Sequence, residues 1–407
     1  MRCKEEAIGG LLLVASIATT GVYESALVRS VRSFEEGRAV AIALPQPRVS
    51  SRTEDHLVVF SGLITTAVST DGTTAGQEHK RPKSDRVPLR GQSPVVLDGT
   101  FGIAAKGVRL YRHVEMLQWV ETSHTSMSSA PEDEDQRFDD DRERTYMYDM
   151  RWSEERIDSM AFHDPSYANP PPEAWTYTSL VVTAADLVVG EYGLPEELVD
   201  QIARRDVVHL DTASRRVMAN VLEQRKGTGW QRASALTNVS VTDDCFYFQS
   251  EEPVLGDQRV HFDVTPNYPV TVCAKQKGRE LVPFTSSTGE ALFLLKDGIM
   301  TAHELFDKAT HAEVSKNRFF RLFAGVLGFI GFLVLRSPLI ERYGSLLAGI
   351  PQHLLASSLS AALTFSVVGA TWSLYSPLWA LLLWLGGCTP LVGLFLVFRS
   401  TQPLKAQ

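Results

Sequence analysis

The 407-residue sequence lacks the patterns on which most catalytic and cofactor sites depend. Its four cysteines include no Cys-x-x-Cys pair and no Cys/His cluster at zinc-ligand spacing. It has no Gly-x-Ser-x-Gly elbow, no phosphate-binding loop and no Gly-x-Gly-x-x-Gly after a strand. The net charge of −8 gives no basic excess for nucleic acid. We therefore expect no catalytic residue, no cofactor, no metal site and no nucleic-acid partner.

Two segments come closest to catalytic chemistry. The sequence from His303 to Asp307 begins like a zinc-protease helix, but Asp307 stands where the second histidine is required. His113 and Glu115 share one face of a predicted strand and could exchange protons, yet no third group completes the site. An enzyme using His113 or His303 is therefore the least favoured function.

Long hydrophobic runs are confined to the two ends of the chain. Since about twenty apolar residues cross a bilayer as a helix, four transmembrane helices are predicted. Their bounds are residues 7–23, 319–335, 346–375 and 378–398. No acidic residue or arginine lies deep in any of them, which argues against an ion or proton pathway.

The charges beside these runs predict the topology. Basic residues of the short segments 1–6, 336–345 and 399–407 place those segments in the cytosol, because large domains translocate largely regardless of charge. Residues 24–318 then form one large lumenal domain. The first run has a poor cleavage site, so an uncleaved signal anchor is preferred over a cleaved signal peptide. Residues 24–38 are predicted to lie along the membrane surface.

The lumenal domain is predicted to be α+β with antiparallel strands. Residues 57–64, 107–122 and 145–157 have strand patterns, and the last two are expected to pair. Further strands are predicted at 245–249, 258–264, 270–276, 278–285 and 291–296, and helices at 195–205, 214–223 and 301–313. The long strand should bury one face, made of Val108, Leu110, Arg112, Val114, Met116, Gln118 and Val120.

Several polar features fit a lumenal location. Asn238 begins the glycosylation sequon Asn-Val-Ser. Cys245 and Cys273 can form a disulfide in an oxidising lumen, or remain two buried free thiols. The acidic segment 131–144 lacks the glycine-turned spacing of a calcium loop and is predicted to be a solvated hairpin loop.

Within the predicted third span, His353 is predicted at the membrane interface. Small residues suit close helix packing at Ser357, Ser358, Ser360, Ala361, Ala362 and Gly369.

Five segments in order make the chain resemble the transmembrane protein 43 family, also called LUMA. They are residues 108–121, 148–159, 256–260, 278–298 and 375–383. The chain departs from the family after the first span, where the family carries an Asn-Glu-Gly-Arg-Ala-like motif and this chain has Tyr23-Glu24-Ser25-Ala26-Leu27. The loops at 66–93 and 131–144 also differ.

The resemblance implies a four-span protein of the endoplasmic reticulum and inner nuclear membrane, with both termini in the cytosol or nucleoplasm. It implies self-association, contact with lamin- or emerin-like proteins, and no catalytic residues. A non-enzymatic organiser of membrane protein complexes and nuclear envelope structure is therefore the leading hypothesis. The alternative is a lipid-associated, membrane-sensing module, because basic stretches at 24–38 and 309–321 flank the membrane.

Overall fold

The computed structural model of the chain describes residues 2–67, 92–125, 144–210, 239–242, 244–248, 252–335 and 350–400. Within these residues the α-helices are α1 (Arg2–Val40), α2 (Glu196–Val199), α3 (Ala302–Val334), α4 (Gln352–Trp372) and α5 (Pro377–Ser400). Short 3-10 helices cover Ser51–Thr53, Ser159–Ala161 and Pro172–Ala174.

The strands of the described residues are, in chain order, β1 (Ile42–Ala43), β2 (Leu57–Thr66), β3 (Val95–Asp98), β4 (Ile103–Lys106), β5 (Arg109–Thr125), β6 (Arg144–Ser153), β7 (Leu180–Thr183), β8 (Leu187–Val189), β9 (Tyr192–Gly193), β10 (Asp206–Val207), β11 (Val239–Val241), β12 (Cys245–Phe248), β13 (Gln258–Thr265), β14 (Pro269–Lys277), β15 (Glu280–Val282), β16 (Phe284–Thr285), β17 (Ala291–Leu292) and β18 (Leu294–Asp297).

Four of the helices, α1, α3, α4 and α5, are long and apolar enough to cross a membrane. Helices α1 and α3 run antiparallel and pack along most of their length. Gly9 lies against Leu335 near one end of the pair, and Gly37 lies against Phe306 near the other. The absence of a side chain at both glycines lets the two helices approach closely. The predicted arrangement of one N-terminal and three C-terminal apolar helices is confirmed.

The central domain contains two main sheets, whose strands differ in length and pair largely antiparallel. The first has the order β15-β14-β2-β8-β9, with β1 added in parallel to β2 and β18 paired to β14. The second has the order β11-β12-β13-β5-β6, with β10 on β13 and β7 on β5. Two small ladders, β3-β4 and β16-β17, complete the described strands. The predicted α+β class is confirmed.

The first sheet is buried on both faces. Along β2, Val58 and Phe60 enter one hydrophobic cluster, whereas Leu57 and Val59 enter another on the opposite face. This second cluster contains side chains from α1 and α3, including Phe306. Because successive strand residues point to opposite faces, a continuous apolar run in β2 serves both clusters. The helices that reach the membrane therefore also complete the core of the domain.

The second sheet confirms the strand pairing read from the sequence. Strand β6 pairs antiparallel with β5, from Met116 opposite Ser153 to Thr125 opposite Arg144. Six of the seven residues on the predicted core face of β5 and just before it are buried, namely Val108, Leu110, Arg112, Val114, Met116 and Gln118. Period-two alternation thus located the buried face correctly.

Several sequence-based boundaries are wrong. Residues 24–38 do not form a separate surface helix, because α1 continues without a break to Val40 and buries Leu27 and Phe34. The predicted short helix 301–313 is the first part of the long α3, which begins with a capping box at Thr301 and Glu304. The predicted helix at 195–205 contains only the short α2. The predicted helix at 214–223, most of the loop at 66–93 and all but the last residue of the acidic segment 131–144 lie outside the described residues.

Candidate functional site

A buried carboxylate joins three of the apolar helices. Glu24 of α1 is fully buried and accepts hydrogen bonds from α3 and α4. Its Oε1 receives the Asn317 amide Nδ2 at 2.6 Å, and its Oε2 receives Arg321 Nη2 at 2.9 Å and the Trp372 indole Nε1 at 2.9 Å. Arg321 Nε also donates to Oε1. We call these four residues the Glu24 clasp.

The clasp satisfies a charge that would otherwise be costly to bury. A carboxylate has about four acceptor positions, and the other three residues of the Glu24 clasp supply four N–H donors, two of them from a guanidinium.

The sequence does not reveal this contact. Arg321 lies in the segment predicted as the second span, and Glu24 follows the first. From the sequence they look like separate boundary charges, because nothing in their spacing of 297 residues reveals the contact.

Small and hydroxyl residues hold the helices together on one side of the clasp. Ser16 Oγ of α1 donates to the Ala324 carbonyl at 2.8 Å, and Ser360 Oγ of α4 donates to the Gly325 carbonyl at 2.7 Å. Gly328 lies between these two hydroxyls, and a Cβ there would stand 2.7 Å from Ser360 Oγ. Of the small residues singled out in the sequence, Ser358, Ser360 and Gly369 are buried and Ser357 is exposed.

On the other side of the clasp, α1 is bonded to the domain. Ser33 Oγ lies 2.7 Å from both Ser286 Oγ and Thr288 Oγ1, in the turn between β16 and β17. Glu36 accepts the Ser287 amide at 2.9 Å. Arg38, in the last turn of α1, pairs with Asp307 of α3. These contacts fix α1 to the domain and to α3 beyond the clasp.

The basic residues behind the lipid hypothesis are partly engaged within the protein. Arg29 pairs with Glu290 at 3.1 Å, and Arg32 donates to the Leu374 carbonyl at 3.2 Å while its guanidinium lies over the Tyr375 ring. A surface groove runs between these groups and the domain, lined by Arg29, Arg32, Glu35, Glu36, Ser287 and Thr288. The groove contains both charge signs, so it is not a simple basic patch.

A second buried ion pair anchors the core of the second sheet. Arg112 Nη1 lies 2.8 Å from Asp98 Oδ2, and both side chains are almost completely buried. Asp98 Oδ1 also accepts the backbone amides of Thr100 and Phe101 at 2.8 Å. Arg112 Nε donates to the Thr178 carbonyl at 2.9 Å. The charged residue predicted on the core face of β5 is therefore fully paired.

A cluster of histidines and carboxylates lies on the opposite face of the second sheet. His113 of β5 stands directly across from His261 of β13, with ring centroids 4.8 Å apart and an interplanar angle of 12°. Glu154 Oε1 lies 2.7 Å from His113 Nδ1. Burial and the nearby His113 lower the pKa of His261 below its ordinary value. We call His113, Glu154 and His261 the histidine cluster.

The residues weighed for acid–base chemistry are thus not isolated. Glu115 pairs with Arg259, and its carboxylate is 3.8 Å from His261 Nδ1. The other candidate, His303, bonds through Nδ1 to Asp307 at 2.8 Å within the first turns of α3. Asp307 is also the partner of Arg38, so His303 lies beside the ion pair that joins α3 to α1.

The two cysteines of the domain are free buried thiols. Cys245 lies on β12 of the second sheet and Cys273 on β14 of the first. Of the two arrangements left open by the sequence, the structure has the unbridged one. Burial raises the pKa of the Cys273 thiol to about 12, so it stays protonated and unreactive at neutral pH. Asn238 lies outside the described residues.

The fold and the Glu24 clasp define a membrane protein whose apolar helices carry an α+β domain. The sequence profile described as Transmembrane protein 43 matches residues 116–377, which is more than half of the chain. The chain therefore belongs to the Transmembrane protein 43 family, and the resemblance seen in the sequence is confirmed.

Curated relatives agree with this assignment. The chain is 29% identical to Transmembrane protein 43 of Pongo abelii over 77% of its length and 75% of that protein. It is 28% identical to the Homo sapiens protein over the same shares. It is 25% identical to the Drosophila melanogaster homolog over 72% of this chain and 74% of that one. No solved structure matches the chain.

The prediction that the chain lacks the family's Glu-Gly-Arg-Ala-like sequence is wrong. The chain does carry a Glu-Gly-Arg-Ala sequence, at Glu36-Gly37-Arg38-Ala39. It lies beyond Tyr23–Leu27, in the last turns of α1, which follow the apolar run. Gly37 packs against Phe306 and Arg38 pairs with Asp307, so this sequence forms the junction between helix and domain.

Proposed function

We propose that the protein is a non-enzymatic organiser of membrane protein complexes and nuclear envelope structure. It resides in the endoplasmic reticulum and inner nuclear membrane as a multi-pass protein, with the α+β domain in the lumen and both termini in the cytosol or nucleoplasm. Its partners are membrane lipids, further copies of itself and, by family resemblance, lamin- or emerin-like membrane and envelope proteins.

The rigid connection between membrane helices and domain carries this proposal. Helices α1 and α3 pass from the apolar region into the core of the first sheet without interruption, and the Glu24 clasp ties α4 to them. A catalytic lid or a transport cycle needs elements that can move relative to each other, whereas this arrangement favours one body that displays fixed surfaces. Such a body suits the assembly of other proteins around it.

The last helix offers the surface for self-association. Only 11% of the residues in the apolar part of α5 are buried, against 22–28% in the other three apolar helices. Gly386 and Gly393 lie seven residues apart on its exposed side, and a Cβ at either would meet nothing within 4 Å. Paired glycines on an open helix face let a second helix approach closely in a bilayer.

We expect the Gly386→Leu/Gly393→Leu variant to shift the detergent-extracted protein from an oligomer to a monomer. The added side chains fit within one copy but block close contact with another. Light scattering coupled to gel filtration measures the mass. Gly10→Leu and Gly325→Leu are matched controls on α1 and α3, since a Cβ at either position would also meet nothing within 4 Å. A wild-type protein that is monomeric at every concentration would contradict the proposal of self-association.

The lumenal location has a separate test. An epitope inserted at Glu134 of the acidic segment should resist protease in intact microsomes and become sensitive once detergent is added. The reason is that large domains follow the orientation set by short charged loops. Immediate cleavage in intact microsomes would place the domain in the cytosol and would contradict the proposed topology.

A further inference from the structure

We propose that His113, Glu154 and His261 form a zinc-binding site on the outer face of the second sheet. The proposal is independent of the scaffolding function, because the site lies on the domain away from the Glu24 clasp and the α5 surface. One ligand atom from each residue lies within 4.8 Å of the others. Two imidazoles and one carboxylate form a ligand set that zinc takes in proteins, with a fourth position left for water.

The sheet itself brings the ligands together. His113 and His261 are directly opposed on the antiparallel strands β5 and β13, so their side chains project on the same face. Glu154 follows the last residue of β6, the other neighbour of β5, and reaches back to His113. The three residues are far apart in sequence, so a search for zinc-ligand spacing along the chain does not find them.

Carboxylates lie near the outer nitrogens of both rings. A ligating histidine usually points its second nitrogen at a carboxylate, which orients the ring. Here Asp263 Oδ2 lies 3.3 Å from His113 Nε2, and Glu115 Oε2 lies 3.8 Å from His261 Nδ1. His113 Nδ1 and His261 Nε2 are thereby left to face the metal. Among the described residues His113 Nε2 is buried and has no hydrogen-bond partner. A metal on Nδ1 would fix the ring so that Nε2 could donate to Asp263.

The charge around the two rings favours a dication. Three carboxylates surround the two rings, and the nearby Arg259 offsets only one of them, Glu115.

The ligand atoms must move only slightly. Zinc bonds of about 2.0–2.1 Å in a tetrahedron require ligand atoms about 3.3 Å apart. Glu154 and His261 are 44% and 31% exposed, so their side chains have room to close from 4.8 Å. A bound ion would join β5 and β13 to the end of β6.

The test is calorimetric titration of zinc chloride into the full-length protein, purified in detergent and stripped with a chelator. Wild type should bind one equivalent. Glu154→Gln and His261→Ala should each weaken the affinity by at least about tenfold, and Asp263→Asn should weaken it by about tenfold through the loss of an orienting carboxylate. Cobalt substitution should give the absorption bands of a tetrahedral site in wild type and lose them in His261→Ala.

His209→Ala is the matched control, because His209 also bonds a carboxylate, Asp244, but belongs to no such cluster among the residues that the structure describes. It should bind zinc as wild type does. Equal affinity in wild type and His113→Ala/His261→Ala, or no zinc binding by wild type, would overturn the proposal. Since Glu154 is largely exposed, Glu154→Gln should keep the metal-free melting temperature, and an unchanged affinity in that folded variant would also overturn it.

Discussion

Replacing Glu24 with leucine should lower the free energy of unfolding of the helix bundle by about 3 kcal/mol. This is the lower end of the cost of removing one partner from a buried ion pair, chosen because the Arg321 side chain is 35% exposed. The substitution leaves the Arg321 guanidinium without its carboxylate. It also removes the acceptor of the Asn317 amide and the Trp372 indole. Titration with a denaturing detergent, followed by far-ultraviolet circular dichroism, measures the loss.

Two variants separate the charge from the packing. Glu24→Gln keeps an oxygen acceptor and most of the side-chain volume, so it should lose less than Glu24→Leu. Glu24→Met/Arg321→Met removes both charges and should recover much of the stability, since well-packed apolar residues can replace a buried pair at little cost. A Glu24→Leu variant with the wild-type midpoint would show that the clasp is not a source of bundle stability.

Replacing Asp98 with alanine should destabilise the central domain by about 3–5 kcal/mol. The expected effect is larger than at Glu24, because Asp98 and Arg112 are only 1% and 7% exposed and Arg112 cannot reach water when its partner is lost. The amides of Thr100 and Phe101 would also lose their acceptor in the turn between β3 and β4. Thermal melting followed by near-ultraviolet circular dichroism reports on the aromatic cluster around Phe101.

The matched variant for this pair is Asp98→Asn, which retains the turn acceptor and removes the charge. It should fall between wild type and Asp98→Ala. Asp98→Asn/Arg112→Met should be more stable than Asp98→Ala, because no uncompensated charge remains buried. If Asp98→Ala melted within 1 °C of wild type, the ion pair could not be a main support of this core.

The parts of the fold that sequence reasoning predicted are those with a strong local signal. The apolar helices are defined by length and hydropathy, and β5 by its alternation, which even placed the charged Arg112 on the buried face. Helix ends were less predictable. The apolar run stops near Tyr23, but the helix continues to Val40, because its later residues pack against α3 and the domain.

The sites depend on contacts that local patterns do not contain. Glu24 and Arg321 are joined across almost the whole chain, and Arg112 meets Asp98 only because a turn folds β3 against β5. The same is true of His113 and His261, whose strand register decides that their rings face each other. The alternation along β5 correctly places His113 and Glu115 on one face. It could not supply the residues from other strands that surround them.

The unbroken helices α1 and α3 have a consequence for symmetry. Each copy presents its central domain at an orientation fixed by its own membrane helices, with no flexible linker between the two parts in the described residues. Copies that associate around an axis normal to the bilayer must therefore arrange their domains around the same axis. The number of copies in the membrane layer then sets the number of second sheets displayed above it, so one interface determines the geometry of both layers.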